Sequence, residues 1–186
     1  MYRQTTTSFL LTAAILIALT FIPAEKAEAQ WGVGASYELR DTEPTNGFGL
    51  RVQRDILGTV PMFDLGIRAH FSYFSETVQS YRDVQVPHEL DSYDFGLAGL
   101  GGINLGLIKP YAGAGLGSES FEAVSQQENF DFSDNSIYWN IFVGAEVSPI
   151  PVLKPFIEYR FTRLFSDDGF DHRQNGRLAI GITLEF

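Results

Sequence analysis

The sequence predicts an all-β protein: an eight-stranded antiparallel up-and-down transmembrane β-barrel, preceded by a cleavable signal peptide. Three observations predict it. From residue 31 onward the chain falls into segments that alternate apolar and polar residues with period two. The connections between those segments alternate between short and long. The last stretch, Arg177 to Phe186, alternates without a break and finishes on an aromatic residue. An unpaired alternating strand is an aggregation hazard, and a barrel removes it by pairing the last strand with the first.

Residues 1–29 read as the signal peptide. Arg3 is the positive charge of its n-region. Ser8 to Ile22 is almost wholly apolar, Pro23 ends the run, and Ala27-Glu28-Ala29 is an A-x-A cleavage site ahead of Gln30. The apolar run is too short for a spanning helix. Residues 30–186 then form one domain. The sequence holds no cysteine, so neither a lipid-anchoring cysteine nor a disulfide is expected, and an exported fold must find its stability elsewhere.

Eight segments follow, at about 31–40, 47–56, 62–75, 91–105, 110–122, 136–148, 154–165 and 176–186. Tight connections are expected at Leu57-Gly58-Thr59-Val60, Gly106-Leu107-Ile108 and Pro149-Ile150-Pro151-Val152. The others are mostly longer and polar. Membrane barrels of bacteria have an even number of strands, short periplasmic turns and longer external loops. A weak repeat supports the hairpins: Lys109-Pro110-Tyr111 and Lys154-Pro155-Phe156 each follow a tight turn. Proline suits the start of a strand. Both lysines are expected to reach periplasmic water.

Two faces separate along the segments. Apolar rows run through Trp31, Val33 and Tyr37; Phe48, Leu50 and Val52; Phe63, Leu65, Ile67, Phe71 and Tyr73; and Tyr93, Phe95 and Leu97. Later rows carry Ile137, Trp139, Ile141 and Val143; Ile157, Tyr159 and Phe161; and Ile180, Ile182, Leu184 and Phe186. The opposite face carries Glu38, Asp64, Asp94, Glu146, Glu158 and Glu185 with Arg40, Arg51, Arg68, Arg160 and Arg177. The fifth segment, Tyr111 to Phe121, is rich in Ala and Gly and its parity stays open. A soluble barrel would turn its apolar face inward and show Lys, Glu and Thr outside. Here the apolar face is wide and ends in aromatics, so it is assigned to lipid and the charges to the lumen. The expected aromatic girdle is Trp31, Tyr111 and Phe186 at the periplasmic side, with Tyr37, Phe48, Tyr73 and Tyr93 at the external side. Arg163 breaks the pattern on the lipid face and is expected to snorkel or to lie above the membrane.

The formal net charge is −10. Fourteen Asp and Glu fall in segments 41–46, 76–92, 119–134 and 166–174, read as loops, where only Arg82 and Arg173 oppose them. Acidity of this kind argues against nucleic acid or an anionic membrane surface as partner.

On the signal peptide, Lys109 to Gly117, Phe156 to Phe161 and the strand Ile180 to Phe186, the chain resembles the small outer-membrane barrels of the OmpA/OmpX type and the related opacity-like barrel-domain family. The resemblance implies an outer-membrane location and contact with outer-membrane lipid and lipopolysaccharide. It also implies that Ile180, Ile182, Leu184 and Phe186 form the signal read by the barrel assembly machinery.

An eight-stranded barrel is just wide enough for side chains to fill, so the lumen charges are expected to pair rather than conduct. His70 and Ser72 share the lumen face, which invites comparison with barrels that modify lipid A. That parity points them away from lipid, and no base–nucleophile–orienter set is evident. Asp131 to Asn135 and Asp167 to Asp171 have carboxylate spacings that Ca²⁺ tolerates, without an EF-hand pattern. The reading is therefore a monomeric outer-membrane barrel with a structural or surface-interaction role. No enzyme activity, cofactor or metal is expected. The alternative is an adhesin or ligand binder acting through acidic external loops. A small porin and a lipid A-modifying enzyme rank below both.

Overall fold

The computed structural model describes residues 31–60, 62–78, 88–125, 130–149, 152–165 and 174–186. The expected signal peptide, residues 1–29, and the acidic run Asp167 to Asp171 lie outside these. The elements are β1 (Trp31–Arg40), β2 (Asn46–Val60), β3 (Phe63–Val78), β4 (His88–Ile103), β5 (Ile108–Ser125), β6 (Phe130–Val147), β7 (Leu153–Leu164) and β8 (Gln174–Glu185). Each strand pairs antiparallel with its sequence neighbours, and β1 pairs with β8 to close the barrel. Trp31 and Phe186 exchange both backbone hydrogen bonds at the seam, at 3.0 and 2.9 Å.

The strands are strongly tilted. Stepping from Trp31 to its partner Arg54, then to Ile67, Gly99, Ala114, Ile141, Phe161 and Gly176, goes once round the barrel. Gly176 accepts a backbone hydrogen bond from Asp41 at 3.0 Å, so the circuit returns at the far end of β1. That stagger is the shear a closed sheet needs.

The short connections share one mouth. Asn104 to Leu107 forms one, with Gly106 at φ 89°, a conformation that suits glycine. The Gly106 N–H donates to the side chain of Asn104 at 2.9 Å. The expected turn at Leu57 to Val60 is corrected: β2 runs on to Val60 through two register irregularities, and the chain reverses after it, with Met62 at φ 76°. The acidic stretch 119–134, expected as a loop, is also corrected. β5 extends to Ser125 and β6 starts at Phe130, so most of that stretch is strand. Likewise β3 and β4 reach Val78 and His88. Alternation fades there because a strand standing beyond hydrocarbon has no need of a greasy face.

Inside, aromatic rings take the place of side chains missing across the sheet. Phe74 faces Gly47, Tyr111 faces Gly144, Phe142 faces Gly113, Tyr138 faces Gly117 and Phe156 faces Gly181. A Cβ built on any of these five glycines would collide with the facing ring. Gly99, on the outer face, has nothing within 4 Å of such a Cβ. Gly113→Val is therefore expected to destabilise the barrel by about 1–3 kcal/mol through overpacking, and Gly99→Val by much less. Urea titration of the two refolded variants against the parent chain, in the same detergent, checks this.

Candidate functional site

The lumen is where the sequence concentrates its chemistry, because β-strand alternation sends every second side chain inward. All the charges predicted to line it lie on the inner face: Glu38, Arg40, Arg51, Arg68, Asp94, Glu146, Glu158, Arg160, Arg177 and Glu185 are buried, and Asp64 sits near the rim. They are stacked along the barrel axis in groups.

At the mouth with the short turns, Lys109 pairs with Asp64 at 3.0 Å and reaches toward Asp55 at 3.7 Å. Lys154 pairs with Glu185 beside them. Above these, Arg51 holds Glu146 at 2.7 Å, and Glu158 is shared between Arg68 and Arg160. The hydroxyl of Tyr111 donates to Glu158 at 3.0 Å and accepts from Arg51 at 3.3 Å. The next group centres on Arg177, which donates to Asp94 at 2.5 Å, to Glu38 at 3.1 Å and to the hydroxyl of Ser72 at 3.0 Å. Arg40 pairs with Glu119 at 2.7 Å, and Ser92 donates to the same carboxylate at 2.8 Å.

The guanidinium groups also lie over rings. Arg51 sits 3.3 Å from the Phe156 centroid, and Arg40 is 3.8 Å from that of Phe74. Arg68 lies near Tyr111 and Phe142. A planar, weakly hydrated cation suits such a site better than an ammonium group. Toward the end away from the short turns an apolar cluster forms: Leu90, Phe121, Ala123 and Leu164 pack with Tyr138, all at most 4% exposed.

Two expectations are corrected here. Tyr111 is not part of the aromatic girdle: it is 5% exposed and points into the lumen. Lys109, 7% exposed, likewise turns inward to its carboxylates instead of into periplasmic water, and Lys154 on β7 does the same toward Glu185. The placements of Tyr111 and Lys109 follow from the parity of β5, whose inner face is Lys109, Tyr111, Gly113, Gly115, Gly117, Glu119, Phe121 and Ala123. The register settles it: Glu119 lies opposite Asp94 of β4 and Ser136 of β6, both on inner faces.

His70 and Ser72 are both buried in the lumen. His70 Nε2 lies 2.9 Å from the Tyr138 hydroxyl and 3.6 Å from Asp94. Ser72 accepts its hydrogen bond from Arg177, and Arg177 occupies Asp94. His70 and Ser72 are at most 4% exposed, and the buried Nδ1 of His70 and Nε of Arg177 have no hydrogen-bond partner among the described residues. Among the described residues no cluster of metal-ligating side chains gathers.

The outer face carries an apolar belt. Phe48, Leu50, Leu97, Leu116, Ile137 and Val143 are exposed, and so are Ile180, Ile182, Leu184 and Phe186 of the last strand. Toward the external end Tyr37, Phe48, Tyr73 and Tyr93 stand side by side on four successive strands. Trp139 continues the outer face on β6, packed on Phe161 at 5.9 Å and in register with Arg163. At the other end Trp31 carries Arg54 over its ring at 5.1 Å.

No family profile and no curated protein sequence matches the chain. Solved structures match its fold. Neisserial surface protein A aligns over 86% of this chain and 98% of its own, at 15% identity and a TM-score of 0.61. The attachment invasion locus protein of Yersinia pestis, solved with the heparin analogue sucrose octasulfate, aligns over 86% and 100%, at 15% identity and 0.61. A major outer membrane protein from Thermus thermophilus aligns over 86% and 100%, at 15% identity and 0.63. The chain has the fold of these barrels, an apolar belt between aromatic rows, and its ionic groups along the axis. It is an eight-stranded closed β-barrel with the fold of solved outer-membrane barrels.

In a barrel of this type the lumen pairs trade hydration for partners, so deleting one partner strands the other. Asp94→Ala, which leaves Arg40 and Arg177 short of a carboxylate, is expected to cost about 3–5 kcal/mol. Asp64→Ala, at the wetter rim, is expected to cost about 1 kcal/mol or less. Unfolding midpoints of the two variants in one lipid system measure the difference.

Proposed function

We propose that this outer-membrane barrel is a sealed, non-enzymatic anchor that does its work at the external surface. The observation that carries the reading is the apolar cluster of Leu90, Phe121, Ala123 and Leu164 with Tyr138, packed beside a lumen that holds ion pairs and rings. A path for ions would have to break both. The buried His70 and Ser72 offer a substrate no approach, which supports a role without catalysis.

What the barrel presents outside is acidic. Beyond the aromatic row, Asp91 of β4 stands opposite Glu122 of β5, with Glu89 exposed next along β4. Tyr73 donates to Asp91 at 2.8 Å and Tyr93 lies 3.4 Å from Glu122. Like charges directly opposite each other are unfavourable in a sheet, and a basic partner would relieve them. The Yersinia protein's ligand is a polyanion; the rim of this barrel suits the reverse, a basic peptide or polycation. The outward row Ile180, Ile182, Leu184 and Phe186 is the segment the barrel assembly machinery would read during insertion, and the barrel acts as a monomer.

Purified, refolded protein in planar bilayers is expected to give no long-lived conductance steps of porin size. Stable channels of that kind would refute the sealed reading. Cells displaying the protein are expected to retain oligolysine, and to lose most of that retention in a Glu89→Gln, Asp91→Asn, Glu122→Gln variant.

A further inference from the structure

The apolar belt is not evenly covered. On β3, β4 and β5 the outward positions Ala69, Gly99, Gly101, Ala112 and Ala114 carry a methyl group or nothing. Two adjoining hollows result, of about 880 and 660 Å³, which share Gly99 and Ala114. Leu65, Ile67, Phe95, Leu97 and Leu116 stand around them. Trp31 and Arg54 border the larger hollow, and Arg54 lies over the indole ring. The neighbouring carboxylate, Asp55, points the other way, into the lumen toward Lys109. Arg54 therefore offers a cation on the outer face, near the mouth of the short turns.

We propose that these hollows bind one anionic phospholipid of the periplasmic leaflet, with an acyl chain lying over Gly99 and Ala114 and the phosphate against Arg54 beside Trp31. The proposal rests on the reading of the chain as an outer-membrane barrel. Hydrocarbon is the medium on this face, and a notch left empty forfeits its dispersion contacts. An acyl chain is a flexible convex ribbon that fills such a notch. A second copy fits worse: a two-fold contact sets the same surface against itself, and hollow against hollow leaves a void. At the head group, a basic side chain near the membrane surface favours an anionic lipid over a zwitterionic one.

The sequence contains two tryptophans, so Trp139→Phe leaves Trp31 as the reporter. This variant is refolded into phosphatidylcholine vesicles doped with dibrominated phosphatidylglycerol or with dibrominated phosphatidylcholine. At equal mole fraction, the brominated phosphatidylglycerol is expected to bind at the Trp31 site about fivefold more strongly, the factor one basic residue commands near an anionic surface. Arg54→Gln in the same background should bring that ratio to about one. Gly99→Leu with Ala114→Leu should fill the hollows and lower phosphatidylglycerol binding severalfold, while the protein keeps its heat-sensitive gel migration. Equal quenching by the two lipids in the reporter protein overturns the proposal. So does a preference that survives either set of substitutions. Cross-linking between barrels through Gly99→Cys, at high lipid dilution, would assign the hollows to a second copy and overturn it as well. No quenching by either lipid would bring down the membrane reading itself, a result distinct from equal quenching.

Discussion

The structure depends on one constraint: hydrocarbon offers no water to a backbone N–H or C=O, so every strand crossing it must be paired on both sides. The seam between β1 and β8 meets that requirement, down to the bonds between Trp31 and Phe186. Closing the sheet with eight strands leaves a tube just wide enough for side chains to fill. The inward half of every strand must then fill a cylinder, and the outward half must dissolve in lipid. Period-two alternation is the sequence consequence of both demands at once.

The filling is a packing problem before it is an electrostatic one. A large ring enters the lumen most easily where the facing position is vacant, and Phe74, Tyr111, Phe142, Tyr138 and Phe156 each meet a glycine across the sheet. The rings in turn give the arginines a flat surface to lie on, as Phe156 does for Arg51 and Phe74 for Arg40. Carboxylates then close each group. Buried ion pairs of this kind are weak evidence for stability when compared with a well-packed apolar core. Their effect here is on specificity. A one-residue slip of any strand would carry its charges into hydrocarbon and its aliphatic row into the lumen, and the cost of that error holds the register.

Much of this was legible in the sequence, and the gaps have a common cause. Strands such as β1 and β3 could be read residue by residue, since their two faces differ sharply: Val33 and Tyr37 against Glu38 and Arg40, Ile67 and Phe71 against Arg68 and His70. β5 could not. Its inner glycines at 113 and 117 are small because Phe142 and Tyr138 occupy their space from β6, and its outer Ala112 and Ala114 border the lipid-facing hollows. The identity of a residue there is set by a neighbour far away in sequence, so local alternation says nothing. Tyr111, Lys109 and Glu119 were misplaced or left unplaced for that single reason. The external strand extensions escaped notice for a different one. Above the membrane neither face of β5 or β6 must be greasy, so hydropathy no longer marks where the strand stops.

A packed lumen also decides where variation can be tolerated. Many inner positions are held by a ring or glycine across the sheet or by an ionic partner along the axis. A change such as Gly117 to a larger residue meets Tyr138, whose hydroxyl donates to Asp94, and Asp94 is held by Arg177. The disturbance passes through the whole group. Outer positions such as Gly99 have open space beyond them. The outer face answers only to the solvent it meets, which is acyl chain in the belt and water above Tyr73 and Tyr93. New binding properties on this scaffold are therefore confined to two surfaces, the lipid-facing wall and the external rim. The same division bears on His70 and Ser72: both are buried among lumen partners, His70 beside Tyr138 and Asp94 and Ser72 accepting a hydrogen bond from Arg177, so each is part of the packing that a larger neighbour would disturb.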